Sequence, residues 1–192
     1  MRVNKTNKTV YDNADNLVKY VDNVRTSLNA WHVDMLAHST GGLVARLYIH
    51  KQMEVLDDGY PVVKHLMMLG VPNKGVPCAD SMANNDAFKN NMQTAKELMP
   101  DEIAVFNQYV TQQKGTKFSA LVGNSFPLFC ASPEWNDGFV SVESAKYGVT
   151  DFAFTKAMHP DMISTKTFND FVKPHIVTGP RGTYPHPVVS EK

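Results

Sequence analysis

The sequence has little that would point to nucleic acid, a membrane or a metal. Nineteen basic residues balance nineteen acidic ones among 192, so the net charge is zero and no basic stripe is available for nucleic acid. No apolar run approaches the ~20 residues that a membrane-spanning helix needs. The only two cysteines, Cys78 and Cys130, lack metal-site spacing, and a disulfide between them stays open. What remains is the composition of an ordinary globular protein.

The N-terminus also lacks a recognisable leader. Its first thirteen residues, MRVNKTNKTVYDN, have no apolar stretch after the basic residues, as a signal peptide would have. We expect them to form a loop or a frayed end, and the compartment is left unassigned. The length predicts one domain over residues 1–192.

The stretch that organises the chain is Trp31–Ile49, WHVDMLAHSTGGLVARLYI. Its apolar pattern predicts a strand at residues 32–37, a tight turn and then a helix. The turn carries an A-x-S-x-G pattern, in which small neighbours let Ser39 project from a strained corner as a nucleophile. The alternative is an ordinary turn in which Ser39 and Thr40 cap the helix.

Strands and helices alternate along the rest of the chain. Further strands are predicted at residues 61–70, 117–123 and 151–156. Helices are predicted from Ala14 to Asn29, from Asp101 to Gln113, within residues 138–147, and from Met162 to Val172, where Pro174 stops the last one. This alternation indicates an α/β protein with a mostly parallel sheet, helices on both faces, and a ligand site beyond the C-terminal strand ends.

Two segments fall outside this alternation. Residues 76–116 include a methionine-rich stretch, which we interpret as a lid or cap over a pocket, with ordinary core packing as the alternative. Residues 178–192 are rich in proline and glycine, which predicts an irregular tail.

A serine nucleophile needs a base and an orienting acid at other strand ends. Asp137 follows the 117–123 strand and His159 follows the 151–156 strand, which gives the chain order Ser, Asp, His. The alternatives are a turn-forming Asp137 and a surface His159, with Asp151 and Asp161 as fallback acids.

The competing histidines fit the role of base less well. His38 adjoins the serine, so we expect its side chain to point away from the nucleophile, as a residue that either packs or supports the site residues. The others fall on strands, on a helix or in the tail: His32, His50, His65, His175 and His186.

The segments HSTGGLVAR, LGVPNKG, NDGFVSVESA and MHPDM resemble those of α/β-hydrolase lipases and esterases. The group is bacterial triacylglycerol-lipase-like and is similar to lecithin–cholesterol acyltransferase and to glycolipid-anchor deacylases. The resemblance implies Ser39 as nucleophile, Asp137 as orienting acid, His159 as base and the Thr40 backbone N–H as an oxyanion-hole donor. It implies no cofactor and no metal.

The resemblance also implies an activity. The chain would be a serine hydrolase for carboxylic esters, chiefly of lipids, with transient contact to a lipid surface and no nucleic-acid partner. Many members of the group are secreted. The alternatives are a non-catalytic binding module with the same fold, and an acyltransferase that uses the same triad.

One departure from the group bears on activity. Its members have several strands before the nucleophile strand and an H-G-type loop that supplies a second oxyanion donor, whereas no H-G or G-G pair precedes Ser39. We therefore expect an N-terminally truncated hydrolase, corresponding to the C-terminal two-thirds of the fold. Because one lost donor costs ~10²–10³ in turnover and an uncovered edge strand associates, we expect weak activity and poor solubility.

Overall fold

A computed structural model of the chain describes residues 9–83, 92–128 and 132–178. Its centre is a parallel sheet in which four strands lie side by side in chain order. The strands are β1 (Val33–His38), β2 (Val63–Leu69), β3 (Lys117–Gly123) and β4 (Asp151–Thr155). The α-helices are α1 (Val10–Leu28), α2 (Gly41–Lys51), α3 (Ala79–Ala83), α4 (Met92–Glu97), α5 (Pro100–Tyr109), α6 (Val142–Lys146), α7 (Thr165–Thr167) and α8 (Lys173–Thr178). The predicted parallel α/β architecture is confirmed.

The strand register brings the four C-terminal ends to one edge of the sheet. His38 lies opposite Leu69, which lies opposite Leu121 in the next strand. Gly123, the last residue of β3, lies opposite Thr155, the last residue of β4. The loops that follow the strands therefore start at the same rim, where parallel sheets hold their ligands.

Helices cover both faces of the sheet, as β2 shows. Leu66 and Met68 face a larger cluster that includes apolar residues of α1, α2, α5 and α6. Met67 and Leu69 face a smaller cluster with Phe171, which belongs to the C-terminal helical segment. Burial on both sides explains why β2 reads as a nearly continuous apolar run, as predicted.

The first helix begins four residues earlier than the sequence analysis predicts. Thr9 caps it, because its hydroxyl accepts from the Asp12 N–H while the Asp12 carboxylate accepts from the Thr9 N–H. This capping box converts residues 10–13 from the expected loop into a first helical turn. The predicted end is confirmed, since Asn29 closes the helix in the left-handed conformation at φ 47°.

The last helix does not stop at Pro174, so that prediction is wrong. Residues 163–164 separate a 3₁₀ helix at His159–Met162 from α7, and a π-helical stretch at Phe168–Val172 and α8 then follow α7 without a break. Pro174 is the second residue of α8, directly after the π-helical stretch. The backbone bonds change register there, and a missing N–H is tolerated at such a point.

The helix predicted from Asp101 to Gln113 is shorter than expected, so its predicted end is wrong. It ends at Tyr109, because Val110 leaves the helical conformation while its N–H donates to the Phe106 carbonyl. The segment expected to form a lid or cap, residues 76–116, contains α3, α4 and α5. Its role as a lid stays a prediction. The predicted tail beyond residue 178 lies outside the described residues. Within the described ranges, no helix has the length and apolarity to cross a bilayer.

Candidate active site

Ser39 occupies a strained corner between β1 and α2. Its φ of 55° lies in the left-handed region, which a non-glycine residue rarely adopts. Hydrogen bonds hold the corner, since the Ser39 N–H donates to the Leu69 carbonyl and the Gly42 N–H donates to the Ser39 carbonyl, both at 3.0 Å. This is the geometry that turns a serine hydroxyl away from the sheet and toward the rim.

Of the two glycines after the serine, only one is required for space. A Cβ at Gly42 would lie 2.2 Å from a Val71 methyl carbon, so α2 packs there with no room for a side chain. A Cβ at Gly41 would meet nothing within 4 Å. Close packing of α2 against the loop after β2 therefore depends on Gly42.

His159 reaches Ser39 from the first residue after the β4 loop. Its Nε2 lies 2.9 Å from the Ser39 Oγ, and its Nδ1 lies 2.8 Å from the Asp137 Oδ2. The backbone N–H of His159 also donates to the backbone carbonyl of Asp137, at 2.8 Å. With Nδ1–H donating to the carboxylate, Nε2 presents its lone pair to the serine hydroxyl.

Asp137 is fully buried and oriented by its own turn. Its Oδ1 accepts from the N–H groups of Phe139 and Val140 at 2.9 and 2.6 Å, which leaves Oδ2 for His159. The turn-forming and the orienting interpretations of Asp137 are therefore compatible, because the two carboxylate oxygens serve different partners.

Two glycines at strand ends make room for Asp137 and His159, and sequence reasoning missed them. A Cβ at Gly70 would lie 2.8 Å from the Asp137 Oδ2 and 3.0 Å from the His159 Nδ1. A Cβ at Gly123 would lie 2.3 Å from the Asp137 Cβ. The available signal was a glycine that ends each of two apolar strand runs, LMMLG and SALVG.

Asp137, rather than either fallback acid, is the carboxylate that His159 contacts. Asp151 begins β4 at the opposite end of the sheet, and Asp161 is exposed on the 3₁₀ helix.

His32 pairs with Asp58 at 2.8 Å in a loop contact near the N-terminal strand ends. A hydrogen bond from the Tyr60 N–H holds the pKa of the Asp58 carboxyl below its usual value, with a smaller contribution from His32. His186 lies outside the described residues.

The side chain of His38 lies against His159. Its ring lies 4.6 Å from the His159 ring, centroid to centroid, and its Nε2 lies 2.8 Å from the His159 carbonyl oxygen. Burial lowers the pKa of His38 below its ordinary value, although the bond to the His159 carbonyl opposes this shift. The residue before Ser39 therefore contacts His159, which in turn pairs with Ser39.

A mostly apolar cavity of about 270 Å³ is lined by residues next to Asp137 and His159. Its lining residues are Cys78, Phe126, Leu128, Asn136, Gly138, Phe139 and Met158. Phe139 also contacts His159, with ring centroids 5.0 Å apart.

Cys78 is disulfide-bonded, and the one other cysteine of the sequence, Cys130, lies outside the described residues. The described part of the chain has no group of three His, Cys, Asp or Glu side chains placed to hold a metal ion.

Residues 6–121 match a protein-family model described as "Domain of unknown function (DUF7379)". The chain belongs to the DUF7379 family. No curated protein sequence matches this DUF7379 chain.

Solved structures match the DUF7379 chain over most of its length. Bacillus licheniformis lipase BlEst2 in mature form matches with a TM-score of 0.70 and 20% identity, over 88% of this chain and 74% of the lipase. A metagenomic carboxyl esterase, MGS0156, matches with a TM-score of 0.63 and 13% identity, over 80% of this chain and 52% of the esterase. Phospholipase PlaB from Legionella pneumophila matches with a TM-score of 0.56 and 18% identity, over 71% of this chain and 34% of PlaB.

These matches show that this DUF7379 chain has the α/β-hydrolase fold of bacterial lipases and esterases, as the sequence resemblance implied. The chain spans about half of MGS0156 and a third of PlaB, while it spans about three quarters of mature BlEst2. Because the sequence identities are only 13–20%, the matches show a shared fold and do not by themselves identify the reaction.

Proposed function

We propose that this chain is a serine hydrolase that cleaves carboxylic esters, with lipid esters as the substrate class. The observation that supports it is the Ser39–His159–Asp137 relay, with separations of 2.9 and 2.8 Å, at a serine with φ 55°. The fold matches to lipases and an esterase add support at the level of architecture. The apolar cavity of about 270 Å³ beside the relay suits a hydrocarbon substituent.

In the first half-reaction the Ser39 Oγ attacks the ester carbonyl carbon while His159 Nε2 takes the hydroxyl proton. Asp137 keeps the Nδ1–H tautomer and stabilises the imidazolium that forms. The carbonyl oxygen becomes an oxyanion. Its donor in this proposal is the Thr40 backbone N–H, at the N-terminal end of the eleven-residue helix α2, where the helix dipole favours negative charge.

Collapse of the tetrahedral intermediate breaks the ester C–O bond. His159 gives its proton to the departing alcohol, and the acyl group stays on Ser39. A water molecule then gives one proton to His159 Nε2 while its oxygen attacks the acyl carbonyl. Release of the carboxylic acid returns the proton to Ser39.

The alternative is a binding module that keeps the fold without turnover. Acyl transfer to an alcohol would use the same relay, and product analysis separates it from hydrolysis.

The test is labelling by a fluorophosphonate probe, which requires an activated serine and only one completed step. We expect labelling of the wild-type chain, no labelling of Ser39→Ala, and slow hydrolysis of p-nitrophenyl esters that is lost in the same variant. Acyl-chain binding without any labelling would overturn the hydrolase proposal in favour of the binding module.

A further inference from the structure

His38 directly precedes the nucleophile and has no part in the proton relay. Its Nε2 lies 2.8 Å from the His159 carbonyl oxygen, 121 residues away in sequence. Because a carbonyl oxygen can only accept, Nε2 must carry a hydrogen in this contact. The two rings lie 4.6 Å apart with an angle of 40° between their planes.

This contact closes a set of restraints around His159. Its N–H donates to the Asp137 carbonyl at 2.8 Å, and its carbonyl accepts from His38. The peptide groups on both sides of the base are therefore anchored, one to the acid's loop and the other to the nucleophile's strand. A shift of ~1 Å in a reacting group typically costs ~10²-fold in rate, so such anchoring matters for the His159–Ser39 approach.

We propose that His38 is a positioning residue for the proposed ester hydrolysis: its neutral ring ties the His159 backbone to the nucleophile strand, and its protonation in acid opposes the charge that His159 gains in the transition state. The inference rests on the proposed function for its kinetic part. Its structural part concerns only the placement of the His159 ring.

The electrostatic part follows from the neighbours of His38. The titratable groups that act on it are the His159 imidazole and the Asp137 carboxylate. Burial keeps the pKa of His38 below its usual value, so the ring is neutral at pH 7 and gains charge only in acid. Like charges at the observed ring separation of 4.6 Å would then slow the acylation step by ~10–100-fold.

The decisive variants differ only in how far an amide can reach. In His38→Gln the side-chain amide nitrogen can occupy the position of Nε2 and donate to the His159 carbonyl, whereas in His38→Asn it is too short. At pH 8 we expect His38→Asn to lower kcat by ~10–100-fold with little change in KM, and His38→Gln to recover most of the loss. His50→Gln is the control, because His50 lies at the far end of α2 against Tyr109. Equal kcat in the Asn and Gln variants would overturn the positioning role.

The pH profile separates positioning from simple packing. In acid, log kcat/KM of the wild type should fall more steeply than that of His38→Gln, because protonation of His38 places a second positive charge beside His159 as it takes the serine proton. A wild-type limb with the same shape as that of His38→Gln would contradict the electrostatic part.

A third measurement does not need turnover. In protein labelled with ¹⁵N-histidine, the His159 Nδ1–H bonded to Asp137 should give a protected low-field proton signal. We expect this signal in the wild type and in His38→Gln, and its broadening or loss in His38→Asn. Failure of the wild type to react with esters or fluorophosphonate would overturn the proposed function alone, whereas an unchanged His159 signal in His38→Asn would overturn the positioning role.

Discussion

The molecule contains two clusters of Ser, His and Asp side chains at opposite ends of the same sheet. At the C-terminal rim, His159 stands between Ser39 and Asp137. At the other end, Ser119 stands between His65 and Asp151, with separations of 2.6 Å on each side. His175 of α8 completes this second group, which we call the buried cluster: His65, Ser119, Asp151 and His175.

The order of the partners decides what each cluster can do. In the buried cluster the Ser119 hydroxyl donates to the Asp151 carboxylate, so its proton is not presented to a histidine lone pair. Ser119 and His65 are 0% and 1% exposed, and no substrate carbonyl could reach the hydroxyl. The same residue types therefore join α8 to the sheet at one end, whereas at the other they have the order that the proposed hydrolase needs.

Substitution of Ser39 and of Ser119 should give the largest difference in ester hydrolysis between the two clusters. We expect Ser39→Ala to lower kcat/KM for p-nitrophenyl esters by at least ~10³-fold, because no nucleophile remains for His159 to activate. Ser119→Ala should leave kcat/KM within about threefold of wild type. Comparable activity loss in both variants would show that the contrast between the clusters is wrong.

The two aspartates provide the next comparison. Asp137→Asn should lower kcat by ~10³–10⁴-fold, since a neutral amide neither holds the Nδ1–H tautomer nor balances the imidazolium. Asp151→Asn should reduce thermal stability without changing kcat by more than about threefold, because it weakens the contacts of Asp151 to Ser119 and His175 at the end of the sheet away from Ser39. Steady-state kinetics and thermal melts on the same samples distinguish these outcomes.

The glycines at the strand ends sharpen the comparison through packing. Gly123→Ala would place a Cβ 2.3 Å from the Asp137 Cβ, so we expect ~10–100-fold lower kcat and a melting temperature several degrees lower. The matched stability control is Gly41→Ala, whose Cβ would meet nothing within 4 Å. A Gly123→Ala melting temperature equal to that of Gly41→Ala would contradict the crowding that we describe.

The smallest expected effect is a pH dependence of stability that originates in the buried cluster. Burial lowers the pKa of His65 to about 4, so the folded chain keeps this ring neutral where an unfolded chain would protonate it. Between pH 6.5 and 4 the unfolded state binds more protons than the folded state. The free energy of unfolding therefore decreases as the pH is lowered, by at most ~1.4 kcal/mol per pH unit.

His65→Gln tests this assignment, because its amide can replace the bond to Ser119 without titrating. We expect the melting temperature of the wild type to drop more between pH 7 and pH 4.5 than that of His65→Gln. Equal drops would place the acid sensitivity elsewhere in the chain.

Sequence patterns predicted the sheet well, because each strand is a short apolar run bounded by turn residues. The strand predicted at residues 117–123 has the same bounds as β3. The start of α1 was missed because its capping box lies in a polar stretch that resembles a frayed end. The end at Pro174 was wrong because the local effect of proline is removed by the π-helical register of the preceding turn.

The candidate site was predictable as a chain order but not as a geometry. The residues Ser39, Asp137 and His159 could be selected because each follows a strand of a parallel sheet. Gly70 and Gly123 were missed, since their requirement arises only when two loops converge above them. The contact between His38 and the His159 carbonyl spans 121 residues, and no local pattern reports it.

The most direct test of an activated Ser39 is to trap and map the acyl-enzyme. The wild-type chain would be mixed with p-nitrophenyl butyrate, quenched in acid within seconds, digested and analysed by mass spectrometry. We predict a butyryl adduct on the peptide that contains Ser39, and none on the peptide that contains Ser119. An acyl adduct on any other residue, with the Ser39 peptide unmodified and hydrolysis retained in Ser39→Ala, would contradict the assignment of Ser39 as the nucleophile.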